Sequence, residues 1–112
     1  MGRQFVTVVE HPNYIKRAEK LLLPEQMDEI ADLLAISSNA GEVMRGTGGF
    51  RKFRYAGVKG RGKSGGMRII HLFVPGNGEV HIVDIYVKSE QENLSKAECN
   101  ELAKLAAILK GV

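Results

Sequence analysis

Cysteine occurs once, at Cys99, so the chain can build neither an internal disulfide framework nor a cysteine-based metal site. Tryptophan is absent and aromatic residues make up only 6% of the sequence. No apolar run approaches the roughly 18 residues that a membrane span requires. Met1-Gly2-Arg3-Gln4 leads into a short apolar stretch with no signal-peptide cleavage pattern. A soluble protein of a reducing compartment, the cytoplasm, is the expectation, with no membrane partner.

A further absence is more informative. Between Val43 and Gly78 there is no Asp or Glu, although Arg45, Arg51, Lys52, Arg54, Lys59, Arg61, Lys63 and Arg68 all fall there. Half of the 16 basic residues thus occupy about a third of the chain, while the remainder carries all 13 acidic ones. Such asymmetry concentrates positive potential on one region, the footprint of a polyanion partner. The plainer alternative, a solvated loop that only confers solubility, does not explain why every acidic residue is excluded.

The 112 residues, 44% of them hydrophobic, suffice for one compact domain over 1–112 with a buried core. Phe5 to Val9 reads as a short strand. Pro12 opens a helix whose apolar positions are Tyr14, Ile15, Ala18, Leu21 and Leu22. Pro24 opens a second, with Met27, Ile30, Ala31 and Leu34 inside and Glu25, Asp28, Glu29 and Asp32 outside. Its acidic residues cluster in the first turns, where the helix dipole favours them. Three strands follow at Phe50–Tyr55, Met67–Val74 and Val80–Lys88. Pro75-Gly76-Asn77-Gly78 reads as a hairpin turn, with Asn-Gly supplying positive φ angles. Ser95 and Glu98 make a capping box for a last helix from Lys96 to Lys110, with Ala97, Leu102, Leu105, Ala106 and Leu109 buried. The order β-α-α-β-β-β-α predicts an α+β fold, with helices on one face of a mainly antiparallel twisted sheet.

Strand alternation then sorts the charge. Phe53, Ile69, Phe73, Val83, Ile85 and Val87 are expected under the helices, and His71 and His81 on the same face. The opposite face gathers Lys52, Arg54, Arg68, Tyr86 and Lys88, a cationic platform with an aromatic ring. Guanidinium groups fork onto phosphates, and a tyrosine can stack on a splayed base or donate a proton. Tyr86 packed at the sheet edge among snorkelling basic side chains is the bland counterpart.

Other chemistry finds little support. Gly57 to Ser64 fits the phosphate-loop pattern G-x-x-x-x-G-K-S, but Gly65-Gly66 and a strand follow where that motif needs a helix. His11, His71 and His81 are not at metal-ligand spacing, so no metal and no cofactor is expected. No carboxylate pair or Ser/His/Asp arrangement occurs at a convincing spacing.

The segments Glu42-Val-Met-Arg-Gly-Thr-Gly-Gly-Phe-Arg-Lys-Phe-Arg-Tyr, Gly60-Arg-Gly-Lys-Ser-Gly-Gly-Met-Arg-Ile-Ile and Ile85-Tyr-Val-Lys-Ser-Glu resemble the RelE/HigB superfamily of toxin–antitoxin toxins. The HigB-like branch, with its G-T-G-G-[LF]-R-K pattern, is the nearest. The resemblance spans nearly the whole chain, including the Leu94-Ser95 entry to the last helix. It implies a small α+β toxin that enters the ribosomal A site, cleaves mRNA there without a metal, and is neutralised by a cognate antitoxin. Lys52 and Arg54 match the two basic positions of the family's first central strand, and Arg68 the arginine opening the next. An additional arginine and a last-helix tyrosine of RelE-type members are replaced by Ser89 and Ser95, leaving Tyr86 and Lys88 as the nearest chemical substitutes. No histidine follows His81, although some relatives use one near the C-terminus.

The implied reaction uses the RNA's own 2′-OH, which attacks the adjacent phosphate and expels the 5′-oxygen. Neighbouring cations favour a neutral amine, making Lys52 or Lys88 the expected base. Arg54 and Arg68 would hold the phosphorane, and Tyr86 or a lysine would serve the leaving group. Arg45, Arg51, Lys59, Arg61 and Lys63 are expected to grip RNA and ribosome. Two other classes fit the same residues. A ParE-like inhibitor of DNA gyrase would damage DNA and leave transcripts whole. A non-catalytic RNA-binding module would bind with steep salt dependence and make no new 5′ ends.

Overall fold

Alternating apolar and polar residues, ended by turn-forming sequences, set out the strands, and the proline-led amphipathic segments the helices. A computed structural model describes residues 6–56, 66–91 and 93–111. Its elements are β1 (Thr7–Glu10), α1 (Pro12–Leu21), α2 (Pro24–Ile36), β2 (Glu42–Val43), β3 (Arg51–Tyr55), β4 (Met67–Val74), β5 (Glu79–Val87) and α3 (Lys96–Lys110). The order matches the expected α+β fold, with the two-residue β2 added. The sheet runs β1-β5-β4-β3-β2, with β1 parallel to β5 and every other pairing antiparallel.

Local chemistry explains the boundaries. Pro12 and Pro24 start their helices where a missing N–H costs nothing. The Gln26 side chain accepts from the Leu23 N–H at the entry to α2. The capping box of α3 forms as expected: Ser95 Oγ accepts from the Glu98 N–H at 3.1 Å, and Glu98 Oε1 accepts from the Ser95 N–H at 2.8 Å. Between β4 and β5 a 3₁₀ turn spans Pro75–Asn77, and Gly78 alone takes a positive φ. Asn77 does not, so the expected Asn-Gly pair of positive φ angles is corrected to one glycine.

The expectation of helices on one face is also corrected. Tyr14 and Ala18 of α1, Leu22 just past its end, and Ile30 and Leu34 of α2 pack with Phe53, Tyr55, Met67, Ile69, Val80, Ile82 and Ile85. A second cluster joins Phe50, Ile70, Leu72, Val74, Val83 and Tyr86 to Ala106 of α3, flanked by Leu94, Leu102, Leu105 and Leu109. Ile69 and Ile70 are neighbours on one strand and point to opposite faces, so α3 covers the face opposite α1 and α2. The physical reason is area. Ile70, Leu72 and Val74 each stand to gain about 1.5–3 kcal/mol from burial, which requires a cover on their own side.

A second correction concerns β5. Ile70 stands opposite Asp84 and His71 opposite Ile82, leaving Val83 as an extra residue in a bulge. The bulge resets the alternation. Ile82 therefore joins the α1/α2 cluster, Val83 the α3 cluster, and His81, opposite Leu72, shares the α3 side.

The Gly-Thr-Gly-Gly segment before β3 docks α3. Thr47 is fully buried and its hydroxyl donates to the Met44 carbonyl at 2.7 Å. Gly48 has φ +76°, and a Cβ there would stand 2.7 Å from Ala106 Cβ, so only glycine lets α3 approach this closely. Lys110 Nζ closes the far end on the Gly48 carbonyl.

Candidate nucleic-acid interface

α3 leaves one corner of its sheet face uncovered, and the basic side chains of β3 and β4 occupy that corner. Register aligns them in two rows across the sheet. Arg54 faces Arg68, which faces Tyr86; Glu42 faces Lys52, which faces Ile70 and then Asp84. Directly opposed Cβ atoms on adjacent strands lie about 4.5–5.5 Å apart, so Arg54 and Arg68 are immediate neighbours of like charge. Neither their side chains nor that of Lys52 makes a hydrogen bond or ion pair with any other described residue.

Glu42, Lys52, Arg54 and Arg68 line one cleft of about 310 Å³, floored by Gly41 and Phe53. Gly41 has φ +85°, and a Cβ there would fall 2.0 Å from the Lys52 carbonyl oxygen. The chain entering β2 thus lies on the Lys52 backbone, a contact only glycine permits. Gly66 plays a lesser part beside Arg54, where a Cβ would stand 3.2 Å from Nε and crowd the guanidinium. The Lys88 N–H donates to the Gly66 carbonyl at 3.0 Å, which brings the exposed Lys88, just past the end of β5, to this end of the sheet.

Burial divides the cluster. Arg54 is exposed, and Lys52 and Arg68 are half-buried. Arg68 Nη1 and the Tyr86 hydroxyl are buried without a partner among the described residues. Tyr86 lies on the expected face but is only 5% exposed, within the apolar cluster that Leu94, Leu102, Leu105 and Leu109 flank. The open platform ring expected from sequence is corrected to a covered one. Burial raises the Tyr86 pKa above the usual phenol value. Arg68 pulls it down, while Asp84, Glu98 and Cys99 add to the rise. The phenol keeps its proton, and so does its capacity to donate.

The remaining expected residues separate. Arg51 is on the α1/α2 side, where its Nη1 donates to the Asn39 and Gly41 carbonyls at 3.2 Å each. The structure does not bring it to the cluster. Arg45 is exposed in the turn between β2 and β3. Lys59, Arg61 and Lys63 lie outside the described residues, as does the whole phosphate-loop-like stretch from Gly57 to Ser64. Glu42 is the group that sequence reasoning missed. It stands one residue before the acid-free stretch, and only the two-residue β2 pairing places it opposite Lys52.

The histidines have structural surroundings. His71 is fully buried, and its Nε2 donates to the Ala40 carbonyl at 2.8 Å, so Nδ1 carries a lone pair with no partner among the described residues. Burial pushes its pKa down to about 4, with Arg51 adding to the fall and the Ala40 bond opposing it. His11 Nε2 and His81 Nδ1 share a hydrogen bond of 2.9 Å at the far end of β5. No group of three or more His, Cys, Asp or Glu side chains among the described residues is placed to hold a metal ion. No helix among them is long and apolar enough to cross a membrane.

No family model matches the chain. Among solved structures, the fold is similar to that of a double mutant of the E. coli toxin RelE in the free state. The TM-score is 0.57 at 16% identity, and the match covers 79% of this chain and 88% of that one. Three helices against a mostly antiparallel five-stranded sheet, with β1 parallel at one edge, therefore constitute a RelE-like fold.

Proposed function

We propose that the chain is the toxin of a toxin–antitoxin pair, of the HigB-like branch of the RelE/HigB superfamily, and that it cuts mRNA in the ribosomal A site. One observation carries the reading. Arg54 and Arg68 stand directly opposite each other, beside Lys52, and none of the three forms an ion pair among the described residues. Opposed like charges cost stability. A phosphate between them removes that cost, and two guanidinium forks match its oxygens.

In this reading Arg54 and Arg68 take the non-bridging oxygens of the scissile phosphate and the charge that develops on the phosphorane. One such electrostatic donor is typically worth about 10²–10³-fold. Lys52 and the facing Glu42 handle the 2′-OH proton, and Lys88, near Gly66, supports the leaving 5′-oxygen. Tyr86 holds its proton behind Arg68 and reaches the phosphate through a small outward shift of the covering Leu94 segment. Arg45, Lys59, Arg61 and Lys63 bind ribosomal RNA. These groups are weak acids and bases. The ribosome supplies the alignment of attacking and leaving oxygens, which can be worth several kcal/mol.

Primer extension on cellular mRNA after brief induction tests the reading. New 5′ ends confined to translated frames, absent when an antitoxin is co-expressed, are the expected result. Intact transcripts with broken chromosomal DNA would assign the chain to the gyrase-inhibiting class instead.

A further inference from the structure

β1 is the outer strand of the sheet and has one neighbour. It pairs with β5 alone, from Thr7 opposite Glu79 to Glu10 opposite Ile82. Just past its end the His11 N–H donates to the Ile82 carbonyl at 3.0 Å, and Pro12 then opens α1. At that junction three side chains form a chain of their own. Glu79 Oε1 lies 3.2 Å from His81 Nε2, and His81 Nδ1 lies 2.9 Å from His11 Nε2. The two rings meet edge to face, with centroids 5.1 Å apart and an interplanar angle of 68°.

The hydrogen-bond roles follow from one end of the chain. An ionised carboxylate only accepts, so His81 Nε2 carries the proton that it donates to Glu79. Neutral His81 then has its lone pair on Nδ1, and His11 donates to it from Nε2. The free lone pair of the chain is therefore His11 Nδ1. One added proton enters there and leaves both bonds standing. A second has only His81 Nδ1 to occupy, where it meets the His11 N–H. Two cationic rings then turn donors on each other at bonding distance, and the bond between them is lost.

The charged groups around the pair do not remove that conflict. Glu10 precedes His11 on β1, and Asp28 of α2 acts on it. Across the cleft that His11 lines stand Asp84 of β5 and Glu101 and Lys104 of α3. Asp84 is paired with Arg17 of α1, and Glu101 with Lys104. Among the described residues only Glu79 bonds a carboxylate to either ring. These acids favour one proton on the pair, but none of them stands between the two nitrogens. Burial and the facing His81 hold the His11 pKa below its ordinary 6.5. The stability due to neutral His11 is thus complete above pH 6.5 and is lost as pH falls below it.

We infer that the Glu79–His81–His11 chain is an acid-released clasp that fastens β1 to β5, and that protonating it frees β1 while the central strands stay folded. β1 is the strand that can leave, because every strand inward of it has a neighbour on both sides except β2 at the far edge. Val6 and Val8, packed against the α1/α2 cluster, hold it in place at neutral pH and resist release. His71 also takes up a proton in acid, but it is fully buried on β4, so its protonation weakens the fold as a whole. None of the three clasp residues lines the cationic cleft, and the inference does not rest on RNA cutting.

Amide exchange of the full chain, followed by NMR between about pH 7 and about pH 5, tests it. The Thr7 and His11 amides, corrected for the intrinsic effect of pH, are expected to lose at least about tenfold in protection, while those of β4 keep theirs. His11→Gln can still donate to His81 but takes up no proton, so its protection at Thr7 should be the same at both ends of the range. His11→Ala should lack the extra protection even at neutral pH. Imidazole nitrogen shifts at neutral pH should show both His81 and His11 protonated at Nε2. The opposite tautomers, an equal loss in β4, or an acid loss that persists in His11→Gln would overturn the inference. Loss of mRNA cleavage, or its persistence, bears on the toxin reading and not on this one.

Discussion

The two faces of the sheet are built from the same strands and come to opposite ends. On the α1/α2 face, Phe53, Ile69, Ile82 and Ile85 meet Tyr14, Ile30 and Leu34 in a closed apolar layer. Its polar groups are tied down. Tyr55 donates to Glu29, and burial with that carboxylate pushes the phenol up to about 12. His71 is held neutral, and Arg51 is bound to two carbonyls. On the α3 face, the apolar layer stops at Ile70 and Tyr86, and the next positions are Lys52, Arg54 and Arg68, whose side chains form no ion pair among the described residues. A residue's neighbours across the strand, and the cover above it, decide whether a charge is structural or available. Arg51 and Lys52 are adjacent in sequence and fall on either side of that line.

Changes on the open corner should separate activity from stability most strongly. Arg68→Ala and Lys52→Ala are expected to lose about 10²–10³-fold in mRNA cleavage, with the thermal midpoint nearly unchanged. Growth arrest by both variants at wild-type strength would show that the corner is not the site. On the closed face the reverse is expected: Ile69→Ala leaves a cavity costing about 2–5 kcal/mol, readable by urea denaturation, while the folded fraction keeps whatever level of the proposed RNA cleavage the unaltered chain shows.

Acid attacks the closed face through His71. Its folded pKa of about 4 lies below the ordinary 6.5, so the unfolded chain takes up the proton first. The stability due to neutral His71 is complete above pH 6.5 and is lost as pH falls from there through 4. At about 1.4 kcal/mol per pH unit, the shift corresponds to roughly 3 kcal/mol. His71→Gln should flatten that part of the pH profile, and an unchanged profile would assign the acid sensitivity elsewhere. Smaller still, Arg51→Ala is expected to cost about 1 kcal/mol of stability and leave cleavage intact. A loss of cleavage without destabilisation would move Arg51 into the site. Tyr86→Phe removes an unpartnered buried hydroxyl, so stability should hold or rise by up to about 1 kcal/mol. Cleavage by that variant reports directly on whether the phenol donates a proton.

Much was legible in the sequence because it depends on local pattern. Proline at the first turn, the Ser95–Glu98 box and the 3.6-residue spacing located all three helices, with α3 bounded at Lys96 and Lys110 as expected. Period-two alternation on β3 and β4 put Lys52, Arg54 and Arg68 on one face. Alternation failed on β5, where one bulged residue moved Ile82 and Val83 to the faces opposite those expected. A bulge has no composition of its own, and Val83 reads as an ordinary strand residue. The cover over Tyr86 was hidden for a related reason: apolar Phe50, Ile70, Leu72 and Val74 signal that something must bury them, and which helix does so is a matter of chain path.

By itself, the sequence determined the α+β class, the ends of the helices and the segregation of positive charge, since propensity, capping and composition act over a few residues. Only tertiary structure decided that α3 crosses to the opposite face, that Glu42 stands opposite Lys52 and that Tyr86 is covered. Those outcomes follow from packing between residues far apart in the chain, where burying apolar area outweighs local preference.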